Sequence, residues 1–85
     1  MSDGDNEDPL SQLHPVGRID SIRENDDLEQ AIMHLIAIGE VEEIAVERST
    51  YHQSEEHWYR SKLTGAIWRY VAPNFPARGR WEFVR

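Results

Sequence analysis

Cysteine is absent from this chain of 85 residues, and no stretch of it is apolar for long. Without thiols the protein forms neither disulfide bridges nor thiolate metal sites, and its composition suits a reducing cytosol. No apolar run approaches the roughly 18 to 20 residues that a membrane-spanning helix requires. The first twelve residues, MSDGDNEDPLSQ, lack the basic and then apolar pattern of an export signal. These absences predict a soluble protein of the cytoplasm.

The motifs of common catalytic sites are missing as well. The five glycines are scattered, so there is no glycine-rich loop for phosphate, and no serine lies in a Gly-x-Ser-x-Gly elbow. The acidic pairs Glu42-Glu43 and Glu55-Glu56 are adjacent in sequence, and neighbours on a strand point to opposite faces. Neither pair therefore suits an acid–base dyad. We predict a protein that is not an enzyme and uses no cofactor.

One pair of histidines raises the question of a metal site. His52 and His57 are separated by five positions, with two glutamates between them. Imidazole and carboxylate ligands suit zinc. The segment has no cysteine and no compact ligand motif, so we predict a polar hairpin loop that holds no metal.

The charge of the chain, formally −7, is unevenly distributed. Residues 1–48 contain thirteen acidic residues against three arginines, whereas residues 49–85 contain three acidic residues against six basic ones. An acidic surface repels nucleic acid and attracts basic protein surfaces. It also keeps a small chain soluble without any partner. Both interpretations stay open from the sequence.

Periodicity predicts an α+β fold. Residues 1–12 are expected to be a disordered acidic tail, and residues 13–85 a single small domain. The spacing of apolar residues predicts one amphipathic helix from Asp27 to Ile38, capped by Asp26 and closed by Gly39.

After the helix the period changes to about two, which predicts an antiparallel meander of three to four strands. A hairpin turn is expected at Thr64-Gly65, and Pro73 is expected to end a strand. Trp58 and Trp68 are expected to pair across the hairpin, with Phe75 and Trp81 closing the end of the core. The predicted core contains Leu28, Ile32, Leu35, Ile36, Ile44, Val46, Trp58, Trp68 and Tyr70.

Two sets of residues are candidates for binding. Acidic residues at the helix exit and on the first strand suit a basic protein partner, with Glu43 and Glu47 sharing a face towards water. The full set is Glu40, Glu43, Glu47, Tyr51 and Glu55. The same acids would equally protect a solvated edge strand from aggregation. The alternative set is Arg69, Arg78 and Arg80, which lie beside aromatic residues as in single-stranded nucleic-acid platforms.

The segment TGAIWRYVAPNFPARG resembles small immunity proteins of bacterial polymorphic-toxin systems. One such family has an amphipathic helix, a strand and an aromatic hairpin, and Gly65, Trp68, Tyr70 and Pro73 stand at or near that hairpin's positions. The resemblance runs in order from about residue 16 to residue 80, although Arg69 replaces an acidic residue. It implies an acidic protein that masks a cationic toxin, often a nuclease, and that needs no cofactor.

Overall fold

The computed structural model describes residues 8–48, 55–74 and 77–85. Its elements are a 3-10 helix at Pro9–Gln12, β1 at Gly17–Ile19, α1 at Ile22–Ala37, β2 at Val41–Ile44, β3 at Glu56–Ser61, β4 at Ile67–Val71 and β5 at Gly79–Phe83. The five strands form one antiparallel sheet in the order β1-β5-β4-β3-β2. Within these ranges no helix has the length and apolar character needed to cross a membrane.

The predicted α+β architecture is confirmed, but the sheet has five strands rather than three or four. The additional strand is β1, which has only three residues and pairs with β5 at one edge of the sheet. The other four strands follow one another as the predicted meander, with β2 at the opposite edge. Helix α1 therefore connects the two edge strands and crosses one face of the sheet.

Helix α1 begins at Ile22, five residues before the predicted start. The hydroxyl of Ser21 accepts a hydrogen bond from the Glu24 N–H at 3.1 Å, and the Glu24 carboxylate accepts one from the Asp20 N–H at 2.9 Å. Serine and glutamate at this spacing cap a helix start as effectively as the aspartate that was predicted to do so. The earlier of two similar capping patterns is the one used.

The end of α1 agrees with the prediction. Gly39 has a φ of +81°, in the left-handed region that favours glycine. Its N–H donates to the carbonyl of Ile36, and the N–H of Glu40 donates to the carbonyl of Leu35, both at 3.0 Å. This pair of bonds is a Schellman motif, which satisfies carbonyls that have no partner further along the helix.

The core lies between α1 and the sheet face that it covers. Trp68 and Trp81 stack there with ring centroids 5.1 Å apart.

The expected pair of Trp58 and Trp68 is wrong, because Tyr59 stands opposite Trp68 and Trp58 stands opposite Arg69. The core residues are Leu10, Ile19, Leu28, Ile32, Leu35, Val41, Tyr59, Trp68, Tyr70 and Trp81. Trp81 closes the core as expected, whereas Phe75 lies outside the described residues.

The face of the sheet away from α1, here called the outer face, receives two residues that the sequence predicts in the core. Trp58 is buried on this side, because residues adjacent along β3 alternate between the faces. Ile44 is also on this side, since it pairs with Trp58, and it is only half-buried. Val46 lies beyond the end of β2 and is half-buried too, while Ile36 packs at the margin of the core.

The predicted tail ends earlier than residue 12. Pro9–Gln12 forms a 3-10 helix, and the side chain of Leu10 within it is 0 % exposed. Asp8 fixes this segment, because its carboxylate accepts a hydrogen bond from the Leu10 N–H at 3.0 Å and another from the Trp68 indole N–H at 2.6 Å. The first seven residues of the expected tail lie outside the described residues.

Candidate functional site

A cleft of about 250 Å³ opens between α1 and the middle of the sheet. Its helix side is formed by Glu29, Ile32 and Met33, and its sheet side by aromatic rings. The complete lining is Glu29, Ile32, Met33, His57, Tyr59 and Tyr70. This α1–β3 cleft is mainly apolar at its walls and carries acidic groups at its edge.

The strand register explains why the rings meet. His57 and Tyr59 are two positions apart on β3, so both side chains point towards α1. Tyr70 stands opposite His57 on β4. The His57 ring stacks on both tyrosines, with centroids 6.3 Å from Tyr59 and 6.2 Å from Tyr70 and interplanar angles of 26° and 21°. The three rings therefore form a wall of nearly common orientation.

Glu43 and Glu55, two members of the predicted acidic set, contact the two ring nitrogens of His57. Its Nδ1 lies 2.7 Å from a carboxylate oxygen of Glu43, and its Nε2 lies 2.6 Å from one of Glu55. A neutral imidazole has only one N–H, so both contacts are satisfied together only by the protonated ring. Burial alone would lower the pKa of His57, but the hydrogen bonds to Glu55 and Glu43 outweigh it and raise this pKa above 6.5. His57 thus serves as the internal cation of the cleft.

A third carboxylate approaches from the helix. The Tyr70 hydroxyl lies 3.0 Å from the Glu29 carboxylate and also within hydrogen-bonding distance of Asn25 Oδ1. Burial raises the pKa of Tyr70, and the hydrogen bond to Glu29 raises it further. Burial, followed by the charges of Glu43, Glu29 and Glu55, raises the pKa of Tyr59 to about 12. Three carboxylates from separate parts of the chain therefore raise the pKa of the same tyrosine.

The cleft does not have the geometry of a metal site. The two ring nitrogens of His57 point in diverging directions, so the carboxylates that they contact lie on opposite edges of the ring. Over residues 8–48, 55–74 and 77–85 no group of three or more His, Asp or Glu side chains is arranged to hold a metal ion. His52, the other half of the histidine pair, lies outside those ranges.

The outer face carries a different arrangement of charge. Arg69 lies over the Trp58 ring, 5.8 Å from its centroid. Its Nε lies 3.6 Å from a carboxylate oxygen of Glu56, and its Nη1 lies 3.6 Å from one of Glu82. Arg80 also contacts Glu82, at 2.6 Å. Further along, Glu42 accepts a hydrogen bond from Arg60 Nε at 2.7 Å. Arginines and glutamates of this face thus pair with each other, between neighbouring strands and, in β5, within one strand.

The three arginines of the alternative nucleic-acid set are all engaged within the chain. Arg69 and Arg80 belong to the pairs just described. Arg78 lies elsewhere, and its Nη1 donates to the backbone carbonyl of Asp20 at 2.8 Å. Each of the three side chains therefore already has a partner within the chain.

The predicted acidic set is divided by the fold. Glu43 and Glu55 meet at the cleft, and Glu40 is exposed at the end of α1. Glu47 instead pairs with Arg85 at 2.6 Å, beside a depression of about 450 Å³ that contains Trp58 on the outer face. The expectation that Glu43 and Glu47 share a face is wrong, because Glu43 contacts His57 on the side of α1, whereas Glu47 lies beyond the end of β2 and lines the depression on the outer face.

Tyr51, the remaining member of that set, lies outside the described residues. Sequence reasoning did not assign Glu29, Tyr59 or Tyr70 to a binding site. The sequence predicts Tyr70 only as a core residue. One sequence signal bears on the tyrosines: His57 and Tyr59 are two positions apart on β3, which places both rings on one face of the sheet.

Comparison of the chain with protein-family models, with curated proteins and with solved structures gives no match.

Proposed function

We propose that this chain is a small acidic binding protein that acts without catalysis, as an immunity-type inhibitor that masks a basic protein partner such as a toxin nuclease. The observation that carries this proposal is the contrast between the two sides of the fold. On the outer face the glutamates are matched by arginines of the same chain. On the side of α1 the described residues provide no arginine for Glu29 or Glu43.

Several acidic residues on the helix side have no basic counterpart among the residues that the structure describes. Asp26 and Asp27 are exposed on α1, and Glu40 is exposed just after it. Within the part of the chain that the structure describes, none of these three carboxylates makes an ion pair. Together with the carboxylates at the cleft they give this side an excess of negative charge.

Charge of this kind acts mainly on the rate of association. An acidic surface steers a basic partner towards itself and speeds encounter, most strongly at low ionic strength. A nuclease must hold phosphate, so its binding groove is basic and is complementary to such a surface. Carboxylates on a helix are already fixed in position, which reduces the entropy lost when the complex forms.

The proposal is tested with the full chain and the product of a neighbouring gene, because immunity genes lie beside their toxin genes. Association rates are measured by surface plasmon resonance over a range of salt concentrations. We expect a tight complex whose association slows as salt rises. The double variant Asp26→Asn, Asp27→Asn should associate several-fold more slowly at low salt.

The matched control is Asp20→Asn, Glu47→Gln, which removes the same charge from carboxylates that already pair with Arg18 and Arg85. It should retain the wild-type association rate. Equal slowing in both variants, or a rate independent of salt, would contradict the proposal. Retardation of labelled RNA or DNA that is lost in Arg69, Arg78 and Arg80 variants would support the nucleic-acid alternative instead.

A further inference from the structure

We infer that the α1–β3 cleft receives the guanidinium group of an arginine side chain presented by the basic partner. The inference rests on the proposed function and assigns the chemical group that the partner would insert. It follows from the size of the cleft, the orientation of its rings and the position of its carboxylates.

The size of the cleft suits one side chain. Sites for drug-sized ligands usually enclose about 300–1,000 Å³. The cleft, at about 250 Å³, is slightly smaller and is open to the surface. Ile32 and Met33 give it an apolar helix wall, against which the methylene groups of a long side chain can pack. Met33 is largely exposed, so part of this wall is accessible from outside.

The rings favour a flat cation over a compact one. His57, Tyr59 and Tyr70 are nearly parallel where they stack, so they present a common orientation to an incoming group. A guanidinium is planar, is weakly hydrated and stacks on aromatic faces, whereas an ammonium is a compact and strongly hydrated charge. The aromatic wall therefore selects arginine over lysine.

The carboxylates supply the complementary charge from both sides. Glu29 reaches the cleft from α1, where it accepts a hydrogen bond from the Tyr70 hydroxyl. Glu43 from β2 and Glu55 before β3 reach the edge of the His57 ring. A guanidinium has five N–H donors in a fixed fork, so it can bond carboxylates in two directions at once.

In the free protein the protonated ring of His57 is the positive charge beside the carboxylates of the cleft. Its protonated ring neutralises part of the charge of Glu43 and Glu55, while Glu29 has only neutral partners among the described residues. An entering guanidinium would supply a positive charge close to these same groups. Two cations beside each other repel, so arginine binding favours the neutral form of His57.

The experiment is an NMR titration of the full ¹⁵N-labelled chain with N-acetyl-arginine amide. The control ligand is N-acetyl-citrulline amide, which has the same length but an uncharged urea in place of the guanidinium. We expect the arginine ligand to shift the amide signals of the cleft residues saturably, with a dissociation constant on the order of a millimolar, as so small a ligand permits. The citrulline ligand should bind roughly tenfold more weakly or worse.

Variants locate the binding. The double variant Glu29→Gln, Glu43→Gln should weaken arginine binding at least roughly tenfold, whereas the matched double variant Asp20→Asn, Glu47→Gln should bind as wild type. The indole N–H of Trp58 reports from the outer face and should shift little. The dispersion of amide signals remote from the cleft shows that each variant is folded.

Three results would overturn the inference. They are equal binding of arginine and citrulline ligands, the largest shifts on the outer face, or unchanged binding in Glu29→Gln, Glu43→Gln. The ligand requires no partner protein, so these results bear on the cleft alone. Failure of the proposed function is read separately, from the association rates of the full protein and its partner.

Discussion

The outer face of the sheet and the α1–β3 cleft both place glutamates beside aromatic rings, yet they balance those charges differently. On the outer face Arg69 lies over Trp58 and between Glu56 and Glu82. In the cleft the rings are accompanied by carboxylates and by His57, and among the described residues no arginine or lysine lines it. The outer face already contains, within one chain, the stacked arginine that the cleft is inferred to take from another protein.

The difference arises because alternate residues of each strand point to opposite faces of the sheet. Arginines occupy outward positions of β3, β4 and β5. Arg60 and Arg69 stand opposite glutamates on the neighbouring strands, and Arg80 pairs with Glu82 of its own strand. The inward positions of the same strands carry the large rings that pack beneath α1. An arginine is always charged at physiological pH, whereas a histidine changes charge near it. The outer face is therefore fixed in charge, and the cleft is adjustable.

The largest effect should come from the core that supports the cleft. Trp68 stacks on Trp81, and its indole N–H donates to Asp8. We expect Trp68→Ala to lower the free energy of unfolding by about 3–5 kcal/mol, most of the stability of a small domain. Urea denaturation followed by circular dichroism measures the change. Trp68→Phe should lose clearly less, and an alanine variant with wild-type stability would show that the ring does not support the core.

Breaking the pairing on the outer face should have the next largest effect. The side chains of Arg69 and Glu56 are only 15 % and 4 % exposed. Arg69→Gln should therefore cost about 3 kcal/mol of unfolding free energy, because it removes the arginine beside the buried carboxylate of Glu56. The double variant Arg69→Gln, Glu56→Gln should recover much of that loss, since the buried carboxylate is removed together with its arginine. Additive losses in the double variant would show that the two residues stabilise the fold independently.

The helix and the hairpin could be predicted from the sequence because their signals are local. The apolar spacing between Leu28 and Ile36 specifies a helical face, and Gly39 ends it with a positive φ. The turn at Gly65, where φ is +79°, likewise needs a residue without a side chain. None of these features depends on distant parts of the chain.

The two faces could not be assigned because the strands carry no clear alternation. In β2 each face receives one apolar residue and one glutamate, so V-E-E-I fits either orientation. In β3 the neighbours Trp58 and Tyr59 are both large and both buried, on opposite sides. The cleft depends on this choice, since it decides whether Glu43 lies beside His57. Leu10 was missed for a related reason, because its burial depends on contacts with residues far along the chain.

The adjustable charge of the cleft predicts a pH effect that the outer face lacks. The pKa of His57 is raised on folding, because its hydrogen bonds to Glu55 and Glu43 outweigh the effect of burial. These bonds stabilise the fold fully below the unfolded pKa of about 6.5, and the stabilisation is lost as the pH rises through the higher folded pKa. We expect the stability difference between wild type and His57→Gln to shrink between pH 6 and pH 8.

Urea denaturation at several pH values measures this difference, and the other histidines cancel because both proteins contain them. Arginine binding should change in the opposite direction and become tighter over the same pH range, since neutral His57 no longer repels the ligand. In His57→Gln the affinity should be independent of pH. A stability difference that grows with pH would contradict the assignment of His57 as the internal cation of the cleft.

The smallest effect should come from Glu47, the acidic residue that the sequence grouped with Glu43. Its carboxylate contacts Arg85 at 2.6 Å, and its pKa is lowered chiefly by that hydrogen bond. The pair is exposed to solvent, and exposed ion pairs contribute little to stability because water and salt screen them. We expect Glu47→Gln to leave the urea midpoint and arginine binding within error of wild type, whereas Glu43→Gln weakens that binding. Equal losses of arginine affinity in the two single variants would mean that the ligand responds to the total charge of the protein rather than to the cleft. The contrast between the two faces would then have no bearing on recognition.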